Sequence, residues 1–128
     1  MNNVYDIARS GMAAATQRLT VSAGNVANIN TSAPVERVGD EPDDVYRPRR
    51  VEQAPAAGGG VQTSVRLQDP PLIYGPDGTS AAGLRAYPNV DPVREAVDQM
   101  VAVSSYKANA SVLAAQSKID ETLLDLKS

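Results

Sequence analysis

The sequence predicts a mainly α-helical chain with a small β part, in which long N- and C-terminal helices flank a central β-hairpin and an extended segment. Three observations predict it. Eight of the nine prolines and most of the glycines lie between Ser32 and Pro88, leaving both ends almost free of helix breakers. Both ends carry apolar stripes at steps of three and four residues. In the middle, Val61, Thr63, Val65 and Leu67 alternate with Gln62, Ser64 and Arg66, the period of a half-buried strand.

The first helix is expected over about Asn3 to Asn30. Its stripe runs Val4, Ala8, Met12, Ala15, Leu19, Ser22, Val26, Ile29 and is heptad-like from Met12 onward. Asp6 sits in the first turns, where a negative charge suits the positive helix end. Asn25, Asn28, Asn30 and Thr31 are expected to end the helix by competing for backbone hydrogen bonds. The C-terminal helix opens with Asp91 as N-cap and Pro92 at the first helical position, where its missing N–H costs nothing. Its stripe is Val93, Val97, Met100, Ser104, Ala108, Ser111, Ala115, Ile119, Leu123 and Leu126. The middle of that stripe is small and its ends are large. Small residues bury little area, so a helix pair resting on them is only marginally stable alone.

Between the helices, Val45–Val51 is the expected partner of 61–67, with Pro48 restricting it to an edge or bulge and Glu52–Gly60 as the hairpin loop. Gly75-Pro76-Asp77-Gly78 reads as a turn joining Leu72–Tyr74 to Leu84–Tyr87. The acidic stretch Glu36–Asp44 reads as exposed loop.

Composition narrows the chemistry. The chain has no Cys and no His, so it lacks a thiolate nucleophile, an imidazole base and the ligands of an ordinary zinc site. Its five aromatics are all Tyr, its large apolar residues are few, and a core of normal size is hard to assemble from them. A net charge of −3 opposes nucleic-acid binding. No run of about 18 apolar residues is present to span a membrane. Asp6 and Arg9 break up the start, so a cleaved secretion signal is not expected. These features point to an assembly protein with no catalytic residues, no metal and no cofactor.

Each candidate site has a plainer reading. Asp40, Glu41, Asp43 and Asp44 lack the spacing of a calcium loop and contain Pro42, so they read as solvated. Gly58-Gly59-Gly60 lacks the Lys and helix of a phosphate loop and reads as a flexible turn. Arg47, Arg49 and Arg50 face an acidic stretch and read as ion-pair partners within or between subunits. Tyr106 and Asn109, at i and i+3, are either edge packing or an interhelical hydrogen-bonding pair that sets register.

The order of these parts resembles the rod and hook family of axial proteins of the bacterial flagellum, most nearly its proximal-rod members. Three stretches carry the resemblance. The first is Gln17 to Asn28, with its paired asparagines. The second is Val45-Tyr46-Arg47-Pro48-Arg49-Arg50-Val51 with Gly60-Val61-Gln62 and Asp69 to Pro76. The third is Pro88-Asn89-Val90-Asp91 with Val93, Glu95 and Val97, then Ser105-Tyr106-Lys107-Ala108-Asn109 and Lys118. The family's usual Asn-Thr-Pro-Gly-Tyr is here Asn30-Thr31-Ser32-Ala33-Pro34.

The resemblance implies that residues 1–31 and 89–128 pair as a coiled coil in one inner domain, with 32–88 packed outside. It implies a structural, non-enzymatic subunit of the proximal rod. Its partners would be other rod subunits, basal-body proteins and the flagellar type III export apparatus. It would reach the rod, which crosses the periplasm, without a cleaved signal peptide. A divergent relative of the rod proteins, or a helical adaptor at the junction of rod and export gate, would use the same parts. The residues expected to pack between subunits are Leu19, Asn25, Val26, Asn28, Val93, Val97, Met100, Tyr106, Asn109, Ile119 and Leu123.

Overall fold

The computed structural model describes residues 3–127; residues 1, 2 and 128 of the expected helical ends lie outside it. Helix α1 spans Val4–Ala27 and helix α2 spans Pro92–Asp125. At about 1.5 Å per residue they are rods of roughly 36 and 51 Å. Between them run β1 (Ala33–Pro34), β2 (Arg49–Pro55), β3 (Val61–Leu67), β4 (Leu72–Pro76) and β5 (Leu84–Pro88). This is the mainly helical architecture with a small β part that the sequence predicts.

The helix ends are capped by the residues that chemistry favours. The Asn3 side chain accepts from Tyr5 N–H at 3.2 Å. Asp91 accepts from the N–H groups of Val93 and Arg94, and Pro92 follows it in the first turn. At the end of α1, Asn28 Nδ2 donates to Gly24 O and Thr31 Oγ1 to Asn28 O. Those two residues stop the helix as expected. Asn25 does not: its side chain leaves the helix for other elements, as described below.

The helices pack antiparallel. Ser22 near the end of α1 bonds to Glu95 near the start of α2, and Tyr5 at the start of α1 bonds to Asp120 near the end of α2. The hairpin β2–β3 lies against α1, its ladder running from Arg49 opposite Leu67 to Pro55 opposite Val61. This corrects the expected strand Val45–Val51 and the loop 52–60. The strand starts four residues later, and the loop shrinks to the turn closed by Ala56 N–H to Gly60 O. Gly59 and Gly60 take φ of +86° and +80° there, a conformation open to glycine and costly for other residues. Glu52, Gln53 and Ala54 look like loop because they are not apolar, yet the backbone ladder holds them with their side chains in solvent. Val45 is drawn instead into a separate core. In β3, only Val61 and Thr63 of the alternating set are half-covered by α1, while Val65 and Leu67 lie exposed.

The second sheet has strand order β1-β5-β4, antiparallel throughout. The expected pairing of Leu72–Tyr74 with Leu84–Tyr87 is present, with Leu72 opposite Pro88 and Pro76 opposite Leu84. Asp77 organises the intervening turn by accepting from Thr79 N–H and Oγ1 and from Arg85 Nε. Beneath this sheet, Ala33, Val35, Val45, Leu72 and Ala86 form a small apolar core, joined by Ala82 and Leu84. The acidic stretch is exposed loop, and Arg47 reaches back to Glu41 at 3.4 Å and Asp43 at 3.8 Å.

Candidate assembly interface

The seam between the two helices is built from small and polar residues. On α1, Ala8, Ala15 and Ser22 recur every seventh residue and are buried. On α2, Glu95, Ala102, Asn109 and Gln116 also recur every seventh residue; Glu95 and Ala102 are buried and the other two half-buried. This is a heptad seam with little apolar bulk. Gly11 lets the helices close further, since a Cβ there would fall 2.6 Å from Asn109 Nδ2. Specific bonds supplement the packing. Ser22 Oγ donates to Glu95 O at 3.2 Å, Gln99 Nε2 donates to Ser22 Oγ at 3.2 Å, and Arg18 pairs with Asp98 at 3.3 Å. At the far end Tyr5 O–H donates to Asp120 Oδ2 at 2.6 Å. That bond raises the Tyr5 pKa, and it lowers the Asp120 pKa with help from Gln116.

Asn25 is the junction of three elements and is only 1% exposed. Its Nδ2 donates to Glu95 Oε1 at 2.8 Å and to Arg49 O at 2.9 Å. Its Oδ1 accepts from Arg49 N–H and from Tyr46 O–H, both at 3.0 Å. One amide thereby ties α1 to α2, to the first residue of β2 and to the segment leading into it. An amide suits this place because it offers two donors and two acceptor sites on one short, rigid group.

The apolar stripe of α2 lies on the other side. At about 100° per residue, Val93, Val97, Met100, Ser104, Ser111 and Ala115 fall opposite the Glu95–Ala102–Asn109–Gln116 line. Burial agrees at the start of the helix: Val93 is 73% exposed, Met100 71% and Val97 more than half. From Val93 to Ala115 the stripe read from the sequence is therefore not the face that meets α1; at Ile119 and Leu123 it drifts round to the seam side. The reason is chemical. The intrachain seam is held by fit and hydrogen bonding among small and polar side chains, which hydropathy does not register. Beyond Asp120 the helix outruns the start of α1, so its last turns project with Leu123 and Leu126 exposed.

The expected packing residues thus divide. Val93, Val97 and Met100 lie on the outward side of α2, whereas Ile119 flanks the seam and Leu123 continues its heptad line, both left exposed near where α2 runs past the start of α1. Leu19 and Tyr106, 39% and 43% exposed, rim a shallow groove with Ala15, Ala102 and Val103 at the edge of the helix pair. Val26 is exposed in the last turn of α1. Asn25, Asn28 and Asn109 are engaged inside the chain. Among the described residues, neither Tyr106 nor Asn109 donates to α1. Asn109 Nδ2 bonds to Ser105 O of its own helix, so its part in the seam is steric. Sequence reading missed Glu95 as a seam residue, Tyr46 as a partner of Asn25, and the Tyr5–Asp120 tie. The heptad relation among 95, 102, 109 and 116 was the available signal. Among the described residues no group of acids could hold a metal ion, and no helix is long and apolar enough to cross a membrane.

Comparison with known proteins bears on this arrangement. Residues 85–126, which include all of α2, match the family described as flagellar basal body rod FlgEFG protein C-terminal. The chain is 39% identical over 122 residues to flagellar basal-body rod protein FlgC of Escherichia coli O157:H7, covering 87% of this chain and 86% of that protein. It is 38% identical over 121 residues to FlgC of Salmonella typhimurium, with the same coverage. It is 32% identical over 135 residues to FlgC of Aquifex aeolicus, covering 93% and 91% of the two chains.

Proposed function

The chain belongs to the family of FlgC flagellar basal-body rod proteins, and from that premise we propose that it builds the proximal rod by laying the apolar surface of α2 that α1 leaves open against helices of neighbouring rod subunits. It is a structural component of the flagellar basal body and not an enzyme. The observation that carries the proposed packing is the apolar surface that α1 leaves open on α2: Val93, Val97 and Met100 on its outward side, and Ile119, Leu123 and Leu126 toward its projecting end. Burying a side chain of this size contributes about 1.5–3 kcal/mol. Half a dozen of them supply on the order of 10 kcal/mol, the scale of the entropy lost when two chains associate. The seam of small residues supplies much less, so the chain gains more order from neighbours than from itself.

On this reading residues 1–31 and 89–128 form an inner helical domain, and 32–88 an outer one. The rod crosses the periplasm, and the subunit is delivered by the flagellar type III export apparatus without cleavage of a signal. Leu19, Val26 and Tyr106 contribute to the same helix-to-helix contacts. Asn25, Asn28 and Asn109 shape the surface from within.

Val97→Asp, Met100→Asp and Leu123→Asp, placed one at a time in the flagellated cell, test the packing. Each variant should keep the helix content of the purified chain, yet disappear from isolated basal bodies and abolish swarming. Normal incorporation of all three would refute the α2 face as the assembly surface.

A further inference from the structure

We propose that an arginine-lined cleft between α1, α2 and β2 receives the acidic loop 36–44 of a second copy of the chain. This rests on the rod-subunit reading but uses a surface separate from the apolar face of α2. The cleft has a volume of about 340 Å³. Arg18 comes from α1, Arg49 and Arg50 from β2, and Arg94 from the first turn of α2.

The acids that share the cleft are already engaged. Asp98 pairs with Arg18, Glu52 with Arg66 at 2.8 Å, and Glu95 accepts from Asn25. Arg50 donates to the neutral amide of Gln68 at 3.1 Å. Among the described residues the guanidinium groups of Arg49 and Arg94 have no hydrogen bond or ion pair, and both residues are exposed. Arg49 and Arg94 thus face one opening without partners, and Glu95, bonded to the neutral Asn25 amide, is the one carboxylate of the cleft lining not paired with an arginine.

The complement lies elsewhere on the same chain. In the loop 36–44, Glu41 and Asp43 are held by Arg47. Glu36, Asp40 and Asp44 are exposed and, among the described residues, unpaired. Within the loop five acids stand against one cation, the exposed Arg37. Guanidinium and carboxylate match in planar, two-pronged geometry, and a partly enclosed cleft screens such a pair less than open water does. The joined patches are different surfaces, so the contact is head-to-tail. Repeated, it extends along a helical line instead of closing as a two-fold dimer. A rod needs contacts of that type.

The chain has no Cys, which makes cross-linking clean. Val38, 82% exposed in the loop, and Val51, lining the cleft, serve as reporters. A Val38→Cys chain and a size-tagged Val51→Cys chain are co-expressed in the flagellated cell, and basal bodies are isolated after mild oxidation. The expected product is a disulfide-linked pair of mixed size. Arg49→Glu with Arg94→Glu in the tagged chain should cut its yield roughly tenfold. Asp40→Arg with Asp44→Arg in the other chain should restore it. Absence of the mixed pair while both chains are recovered in basal bodies overturns the proposal, as does a yield indifferent to charge reversal. If the Cys variants are not incorporated, the reversals decide in a Cys-free background. Swarming lost with Arg49→Glu/Arg94→Glu and regained in the fourfold reversal supports the contact, and no recovery overturns it. Absence of the unaltered chain from basal bodies would instead remove the rod reading itself.

Discussion

Gly11 of α1 and Asn109 of α2 meet so closely that the Asn109 amide fills the space a Cβ on Gly11 would need, with Cγ and Oδ1 at 2.7 Å from it. Two effects of a Gly11→Ala change therefore oppose each other. Alanine stabilises a helix interior by about 1 kcal/mol over glycine. Crowding a packed contact costs about 1–3 kcal/mol. We expect crowding to prevail, so Gly11→Ala should lower stability in urea unfolding. In an Asn109→Ala background the same change should become stabilising. A Gly11→Ala effect unchanged by Asn109→Ala would show that the two residues do not limit helix approach.

Asn25→Ala should be among the most damaging single changes. It strips partners from Tyr46 O–H, the Arg49 N–H and C=O, and the Glu95 carboxylate at one enclosed point. Buried groups left without partners cost about 1–3 kcal/mol each, so a loss of about 3 kcal/mol is expected in urea unfolding. Asn25→Asp keeps the size and the acceptor, but turns a carboxylate toward Glu95 Oε1 and Arg49 O. It should be no better tolerated at neutral pH, and should recover in part as pH falls. An Asn25→Asp protein as stable as the parent at pH 7 would contradict the donor role of Nδ2.

The Tyr5–Asp120 bond gives the helix pair a limit on each side of neutrality. The folded-state pKa of Asp120 is depressed, so its contribution is present above the ordinary carboxylate range, roughly pH 4, and is lost as pH falls through the folded value. The pKa of Tyr5 is raised. Its contribution is complete below roughly pH 10 and is lost as pH rises through the higher folded value. Tyr5→Phe should lower stability across the mid-range, where the bond is intact, remove the alkaline loss and weaken the acid one, so that the two proteins converge toward the extremes. Melting curves across pH for the two proteins provide the comparison. Identical acid limbs would dismiss the bond as a stabilising contact.

Two ion pairs of nearly equal length should differ in worth. Arg66–Glu52, at 2.8 Å, stands in solvent on the hairpin, its side chains 70% and 57% exposed. Glu52→Gln should change stability by less than about 0.5 kcal/mol. Arg85–Asp77, at 2.9 Å, belongs to a turn in which Asp77 also accepts from Thr79 N–H and Oγ1. Those Thr79 bonds, with Arg85 beside them, hold the Asp77 carboxyl below its usual range. Asp77→Asn should therefore destabilise more than Glu52→Gln, and the gap should narrow in acid as the Asp77 of the parent protonates. Urea unfolding at pH 7 and pH 3 measures both. An equal effect at pH 7 would mean that the turn does not depend on Asp77.

The sequence by itself determined the elements at both ends. Proline distribution, the Asp91–Pro92 start and the Asn28–Thr31 stop are local signals, and they act through the backbone of the residues that bear them. Val61–Leu67 was equally legible because alternation is a local pattern. Strand β2 was not, since Glu52–Pro55 carry no apolar signal and become a strand only by pairing with β3. The tertiary structure alone decided which side of α2 meets α1. Hydropathy picks out Val93, Val97 and Met100, whereas the chain's own helix pair closes on Ala15, Ala102, Gly11 and Asn109, where fit matters more than transfer free energy. It alone turned Asn25 from a helix stop into the joint of three elements. A side chain's hydrogen-bond partners 24 and 70 residues away are properties of the packed chain, and no local pattern encodes them.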